Sequence, residues 1–159
     1  MVNYSYNYLK DYTRYKGISF YLFLCYYLQD KMLRKPESKL WQLIKKNTPE
    51  ISWNRIETTT IMGFPDLVGC HKDCGFFTVE LKVSNRSKIK LSPHQIAWNY
   101  SHALKGGSCF IIATPLEQTT LNIYGGIQAQ DIANNIHEPL IVFHKPFDWG
   151  KVITFLTQN

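Results

Sequence analysis

Acidic side chains are in short supply in this chain. Twelve Asp and Glu stand against eighteen Lys and Arg, leaving a formal charge of +6 and a pI near 9.1. The shortage is sharpest in mid-chain, where no acid lies between Glu80 and Glu117. Such a balance argues against cationic partners and favours a polyanion, because clustered Lys and Arg bind phosphates by releasing counterions. Cysteine is sparse too. Cys25, Cys70, Cys74 and Cys109 are scattered, which excludes a disulfide framework and points to a reduced, cytoplasmic setting. No apolar run reaches the roughly 20 residues that a bilayer-spanning helix needs. The longest, residues 17–29 (GISFYLFLCYYLQ), is uncharged but short, and no small-residue cleavage site follows it. A buried or dimer-forming helix is expected there rather than a membrane span. Repeats, low-complexity linkers and phosphate-cradling Gly-rich loops are all missing, and His94, His102, His137 and His144 have no metal-ligand spacing.

What is present suits one α/β domain. The 159 residues are 45% hydrophobic and 14% aromatic, enough for a buried core and too few for two comfortable domains. Residues 1–35 read as an N-terminal extension carrying a helix over about 18–34, and 36–159 as the main domain. A second helix is expected over 37–46, with Leu40, Leu43 and Ile44 at helical spacing and Lys45 and Lys46 at its favourable C-terminal end. Residues 53–61 are rich in β-branched types and suit a strand. Two apolar segments, 64–69 and 76–83, flank a polar turn at 70–75 and read as a hairpin. Ser92-Pro93 supplies a cap and a proline at the first helical position for a helix to about Leu104. The run 108–113 is apolar throughout, as in a strand buried on both faces. A strand at 121–124, a short helix at 128–135, an apolar segment at 140–143 and a last helix capped by Asp148 complete the order. Helix, three strands, helix, strand implies a mixed central sheet flanked by helices.

The chemistry concentrates in Gly63-Phe64-Pro65-Asp66 and Glu80-Leu81-Lys82. Along a strand of period two, Phe77, Val79, Leu81 and Val83 share one apolar face, while Phe76, Thr78, Glu80 and Lys82 share the other. If the preceding strand pairs in a hairpin, Asp66 approaches Glu80. Two neighbouring carboxylates repel unless a cation lies between them. Mg²⁺ suits them, being a hard ion that takes one or two carboxylates and keeps waters or phosphate oxygens. The Leu81 carbonyl is a further candidate ligand. Lys82 would orient an attacking water or neutralise developing charge. Beyond this pair, the 84–90 loop carries Arg86, Lys88 and Lys90, where a DNA backbone would be contacted without reading its sequence. The segment Cys70-His71-Lys72-Asp73-Cys74 lacks the second Cys/His pair of a structural zinc site and reads as the hairpin turn.

Pro65-Asp66 followed by Glu80-Leu81-Lys82 resembles the signature of the PD-(D/E)XK nuclease superfamily, over roughly residues 37–115. Gly63 before the motif and the helix bearing Gln95 after it resemble the Holliday-junction resolvase and VRR-NUC branches, which include phage members. The resemblance implies a restriction-endonuclease-like sheet flanked by helices. It also implies Mg²⁺ bound by Asp66 and Glu80, with Mn²⁺ as a substitute, and hydrolysis assisted by Lys82. It implies another acid from an early helix, a role that Glu37 matches, with Glu57 as a rival on the following strand. By the same resemblance Gln95 contacts the lysine or the phosphate. Branched DNA is then the expected substrate. A symmetric junction needs two cuts, so a homodimer is expected, with the N-terminal helix as one candidate contact. Two alternatives on the same fold are a sequence-directed endonuclease of homing or restriction type and a non-catalytic DNA-binding module.

Overall fold

The computed structural model describes residues 36–57, 61–84, 88–136 and 138–158. The expected N-terminal helix and Arg86 lie outside the described residues. Helix α1 (Pro36–Asn47) is followed by strands β1 (Ser52–Arg55), β2 (Leu67–His71) and β3 (Gly75–Ser84). Helix α2 (Pro93–Leu104) leads to β4 (Cys109–Pro115) and β5 (Thr120–Gly125). A 3₁₀ turn (Gly126–Gln128), the short α3 (Ala129–Ala133), β6 (Ile141–His144) and α4 (Trp149–Gln158) complete the order.

The six strands form one sheet in sequential order. All neighbours are antiparallel except β3 and β4, which run parallel. A parallel pair needs a crossover, and α2 supplies it. Its start follows the sequence closely. Ser92 caps the helix, accepting from the Gln95 N–H at 3.2 Å, while Gln95 Oε1 accepts from the Ser92 N–H at 2.9 Å. That reciprocal capping box satisfies two donors the helix cannot satisfy internally.

Strand alternation sends apolar side chains to both faces, and each face has its own core. On one side α1 and α4 deliver Leu40, Trp41, Ile44, Val152 and Leu156 onto Leu67, Phe77, Val79, Leu81, Phe110 and Ile112. Edge-on aromatic contacts run from Trp41 to Trp53 at 6.0 Å, Trp53 to Phe77 at 5.4 Å and Phe77 to Phe110 at 6.1 Å. Gly69 leaves room for this spine, since a Cβ there would fall 2.5 Å from the Phe77 ring. On the other side Ile89, Ile111, Ala113 and Tyr124 pack with Ala129 and Ile132 of α3, and Ile96 of α2 joins them. Helices therefore cover both faces of a mixed sheet, the architecture implied by the order of elements.

Two element boundaries differ from expectation. The first strand stops at Arg55, well short of Ile61, and the second begins at Leu67, after Phe64, Pro65 and Asp66. The cause in the second case is Pro65, which has no N–H to give a ladder. The hairpin itself forms, with Leu67 opposite Val79 and His71 opposite Gly75. Gly75 takes the positive φ (+73°) that closes the turn. Among the described residues no helix is long and apolar enough to cross a membrane.

Candidate metal and phosphodiester site

Strand β3 outlasts its partner. It runs ten residues, against five in β2, so Glu80 to Ser84 keep β4 on one side and lose β2 on the other. Extending the β2–β3 register by two steps sets Asp66 across from Glu80 and Pro65 across from Leu81. In a complete ladder Leu81 would trade two hydrogen bonds with residue 65. Proline can donate none, so the Leu81 carbonyl has no ladder donor from residue 65, and the Leu81 N–H turns to a side chain instead. It donates to Asp66 Oδ2 at 2.8 Å. Because N–H and C=O of one strand residue share an edge, the Leu81 carbonyl lies along the edge that Asp66 occupies.

Glu80 projects from β3 beneath α2, and its side chain is fully buried. Lys82 follows on the same face with its ammonium 2.7 Å from Glu80 Oε1. Gln95 Nε2 donates to that same oxygen. The capping box explains the glutamine's direction. Its Oε1 is committed to the Ser92 N–H, so its amide nitrogen is what reaches the carboxylate. Glu80 Oε2, in contrast, is buried without a hydrogen-bond partner. A buried carboxylate oxygen with no donor is costly.

The electrostatics follow from this arrangement. Burial first, and then the Asp66 carboxylate, push the Glu80 pKa from 4.5 up to about 7, against the opposing pull of Lys82. A carboxyl pushed up by burial and by a neighbouring carboxylate accommodates a cation well. The donors on offer are two carboxylates and a backbone carbonyl, all hard oxygens, with Oε2 of Glu80 in want of a partner. That set fits Mg²⁺, which needs no more than one or two protein carboxylates.

The loop before Asp66 is fixed by close contact. Gly63 has φ +80°, and a Cβ on it would meet the His94 carbonyl oxygen at 2.3 Å. Phe64 packs at 5.2 Å on Trp98 of the same helix. The Asp66 loop is thus seated directly on the helix start that carries Gln95.

Of the residues singled out from sequence, the structure brings together Asp66, Glu80, Leu81, Lys82 and Gln95. Gln95 meets the Glu80 carboxylate, where a contact with Lys82 or a phosphate was expected. Glu37 and Glu57 do not join the pair: no group of three or more acidic, His or Cys residues suited to a metal occurs among the described residues. Glu37 lies in the first turn of α1, whose buried residues pack on the sheet face opposite Glu80. Glu57 is an exposed partner of Arg55 at 3.4 Å. Lys88 and Lys90 are exposed just before α2. Thr78 and Asn99 were not foreseen as site residues; the signal for Thr78 was the polar face of β3 continued one step inward, and for Asn99 its place one turn after Gln95 on α2. No protein-family model and no curated protein sequence matches the chain.

Proposed function

We propose that this protein is a Mg²⁺-dependent endonuclease that hydrolyses DNA phosphodiester bonds, on a restriction-endonuclease-like fold, with branched DNA of the Holliday-junction type as substrate. One observation carries the reading. Asp66 and Glu80 stand across the open end of a hairpin, with Lys82 on the carboxylate and Glu80 Oε2 unpartnered. Asp66, Glu80 and the Leu81 carbonyl would hold the metal. When bound, Mg²⁺ or Mn²⁺ supplies charge stabilisation at the phosphate and a more acidic water. Gln95 and Lys82 hold Glu80 in place through one oxygen, leaving the other for the ion. Lys82, held on the Glu80 carboxylate, would orient the attacking water or offset charge on the phosphate. Lys88 and Lys90, beside the start of α2, and Arg86 would contact the DNA backbone. The order of helix, three strands, helix and strand agrees with the resemblance, and a homodimer would deliver paired cuts to a symmetric junction.

The deciding assay is Mg²⁺-dependent cleavage across four-way junctions, flaps, linear duplexes and single strands. Discrete cuts near the branch point are expected, lost in Asp66→Asn. In Lys82→Met, cleavage should fall by about 100-fold or more, with Mg²⁺ binding retained. Cuts at fixed sequences in long linear DNA, with junctions spared, would mean a sequence-directed nuclease. Binding without cleavage under any divalent metal would mean a DNA-binding module.

A further inference from the structure

Among the described residues, three buried side-chain atoms have no hydrogen-bond partner: Thr78 Oγ1, Glu80 Oε2 and Asn99 Oδ1. They belong to one column. Thr78 is two residues before Glu80 on β3 and so shares its face, roughly 6.6 Å along the strand. Asn99 is one turn beyond Gln95 on α2, about 6 Å along the helix. Gln95 already touches Glu80, and a crossover helix runs antiparallel to the strand it covers. The step from Gln95 to Asn99 therefore follows the step from Glu80 to Thr78.

Contacts deeper in the interior close the column. Thr78 pairs with Cys109 across the β3–β4 ladder. A Cβ at Gly126 would lie 2.7 Å from Cys109 Cβ and 2.9 Å from the Asn99 carbonyl oxygen. The walls are thus small residues. The Cys109 thiol is within hydrogen-bonding reach of the Thr78 side chain, but a thiol is a weak donor, and when it donates it leaves the Thr78 hydroxyl proton free. Asn99 is wholly buried, and its amide cannot simply be turned round, because Nδ2 donates to the Gln95 carbonyl at 2.9 Å. Its Oδ1 is therefore an acceptor in need of a donor.

A metal held with Asp66 would satisfy Glu80 Oε2 but would leave Thr78 and Asn99 untouched, one step deeper. Internal water is the usual remedy for such groups, commonly with about three hydrogen bonds to otherwise unsatisfied atoms. We propose that Thr78, Asn99 and Glu80 Oε2 enclose an internal water-binding site, and that Thr78 and Asn99 are positioning residues acting through that water on the Glu80 carboxylate. The water accepts from the Thr78 hydroxyl and donates to Asn99 Oδ1 and Glu80 Oε2. A carboxylate oxygen has two lone pairs, so the same atom can still face a cation. The positioning role, though not the water site, rests on the reading of Glu80 as a metal ligand. It gives the polar interior of α2 a purpose: the helix holds Glu80 at both oxygens, directly through Gln95 and by water through Asn99.

High-resolution crystal structures and calorimetric Mg²⁺ titrations of the full chain, its Thr78→Val variant and its Thr78→Ser variant test this. The expected result is a water bridging the three atoms in the wild type and in Thr78→Ser. Thr78→Val, nearly the same shape without the hydroxyl, should lose the water and bind Mg²⁺ about tenfold more weakly, the usual scale for partners that orient a ligand. A dry wild-type interior, or a water that does not reach Glu80, would overturn the proposal. So would Thr78→Val binding Mg²⁺ as the wild type does. If the wild type binds no Mg²⁺, the nuclease reading falls separately. The wild-type density then decides the water site, and the Glu80–Gln95 contact in Thr78→Val decides the positioning. Should Thr78→Val fail to fold, wild-type density and Thr78→Ser decide alone.

Discussion

Glu80 is the residue on which the site's behaviour turns. Burial and Asp66 raise its pKa from 4.5 to about 7. For an acid whose pKa is higher folded than unfolded, the native state holds more protons between those two values. Stability is therefore greatest below about pH 4.5 as far as this group is concerned, and falls as pH rises towards 7. The full effect is about 3 kcal/mol. Urea midpoints in EDTA should drop between pH 5 and pH 8, and Glu80→Gln should flatten that slope. If Glu80 holds Mg²⁺ as proposed, binding must displace the proton below pH 7, so affinity should strengthen with pH over the same window. Asp66 offers a second separation. Asn at this position keeps an oxygen for the Leu81 N–H, so Asp66→Asn should unfold within about 1 kcal/mol of wild type. It should nonetheless lose Mg²⁺ in calorimetry. Asp66→Ala should lose the metal and the hydrogen bond together.

At the scale of elements, the site exists because a ladder stops early. Pro65 was legible as part of a motif, but its mechanical role was not: it ends β2 pairing opposite Leu81 and so opens one edge of β3. The sequence pattern alone extended the strand back to Phe64, because an apolar run does not reveal which backbone groups will find partners. The cap at Ser92 was legible, since Ser, Pro and a Gln three residues on make a local code that needs no tertiary partner. Gly63 joins the two. Its φ of +80° and the His94 carbonyl 2.3 Å from any Cβ make Gly63→Ala a severe change. A loss of at least 2 kcal/mol is expected from strain and displacement together, on the order of 1–3 kcal/mol for the backbone term alone. Chemical denaturation measures that loss. If the site cleaves DNA as proposed, cleavage should fall further than folding in the surviving native protein, because Asp66 and Gln95 move with the loop.

For the whole molecule, charge sets how a polyanion would be met. The formal +6 combines with exposed Lys88 and Lys90 near the start of α2. If both lysines bind phosphates, Lys88→Ala with Lys90→Ala should weaken DNA binding across sequences. It should also lower the slope of log K against log salt by about 2, measured by fluorescence anisotropy. An unchanged slope would mean that these lysines merely solvate the loop.

The sequence by itself determined the class of the fold, the face of β3 that carries acid and amine, the hairpin and the capped crossover helix. Those follow from periodicity, turn chemistry and capping, which act over a few residues. Only the tertiary structure decided which acids meet. Glu37 and Glu57 were rivals on paper for a further acid, but α1 packs on the far side of the sheet from Glu80 and Glu57 pairs with Arg55, and no local rule fixes either outcome. The same holds for Gln95, Asn99 and Thr78, which become one buried polar column only when α2 settles antiparallel on β3 and excludes the solvent that would otherwise satisfy them.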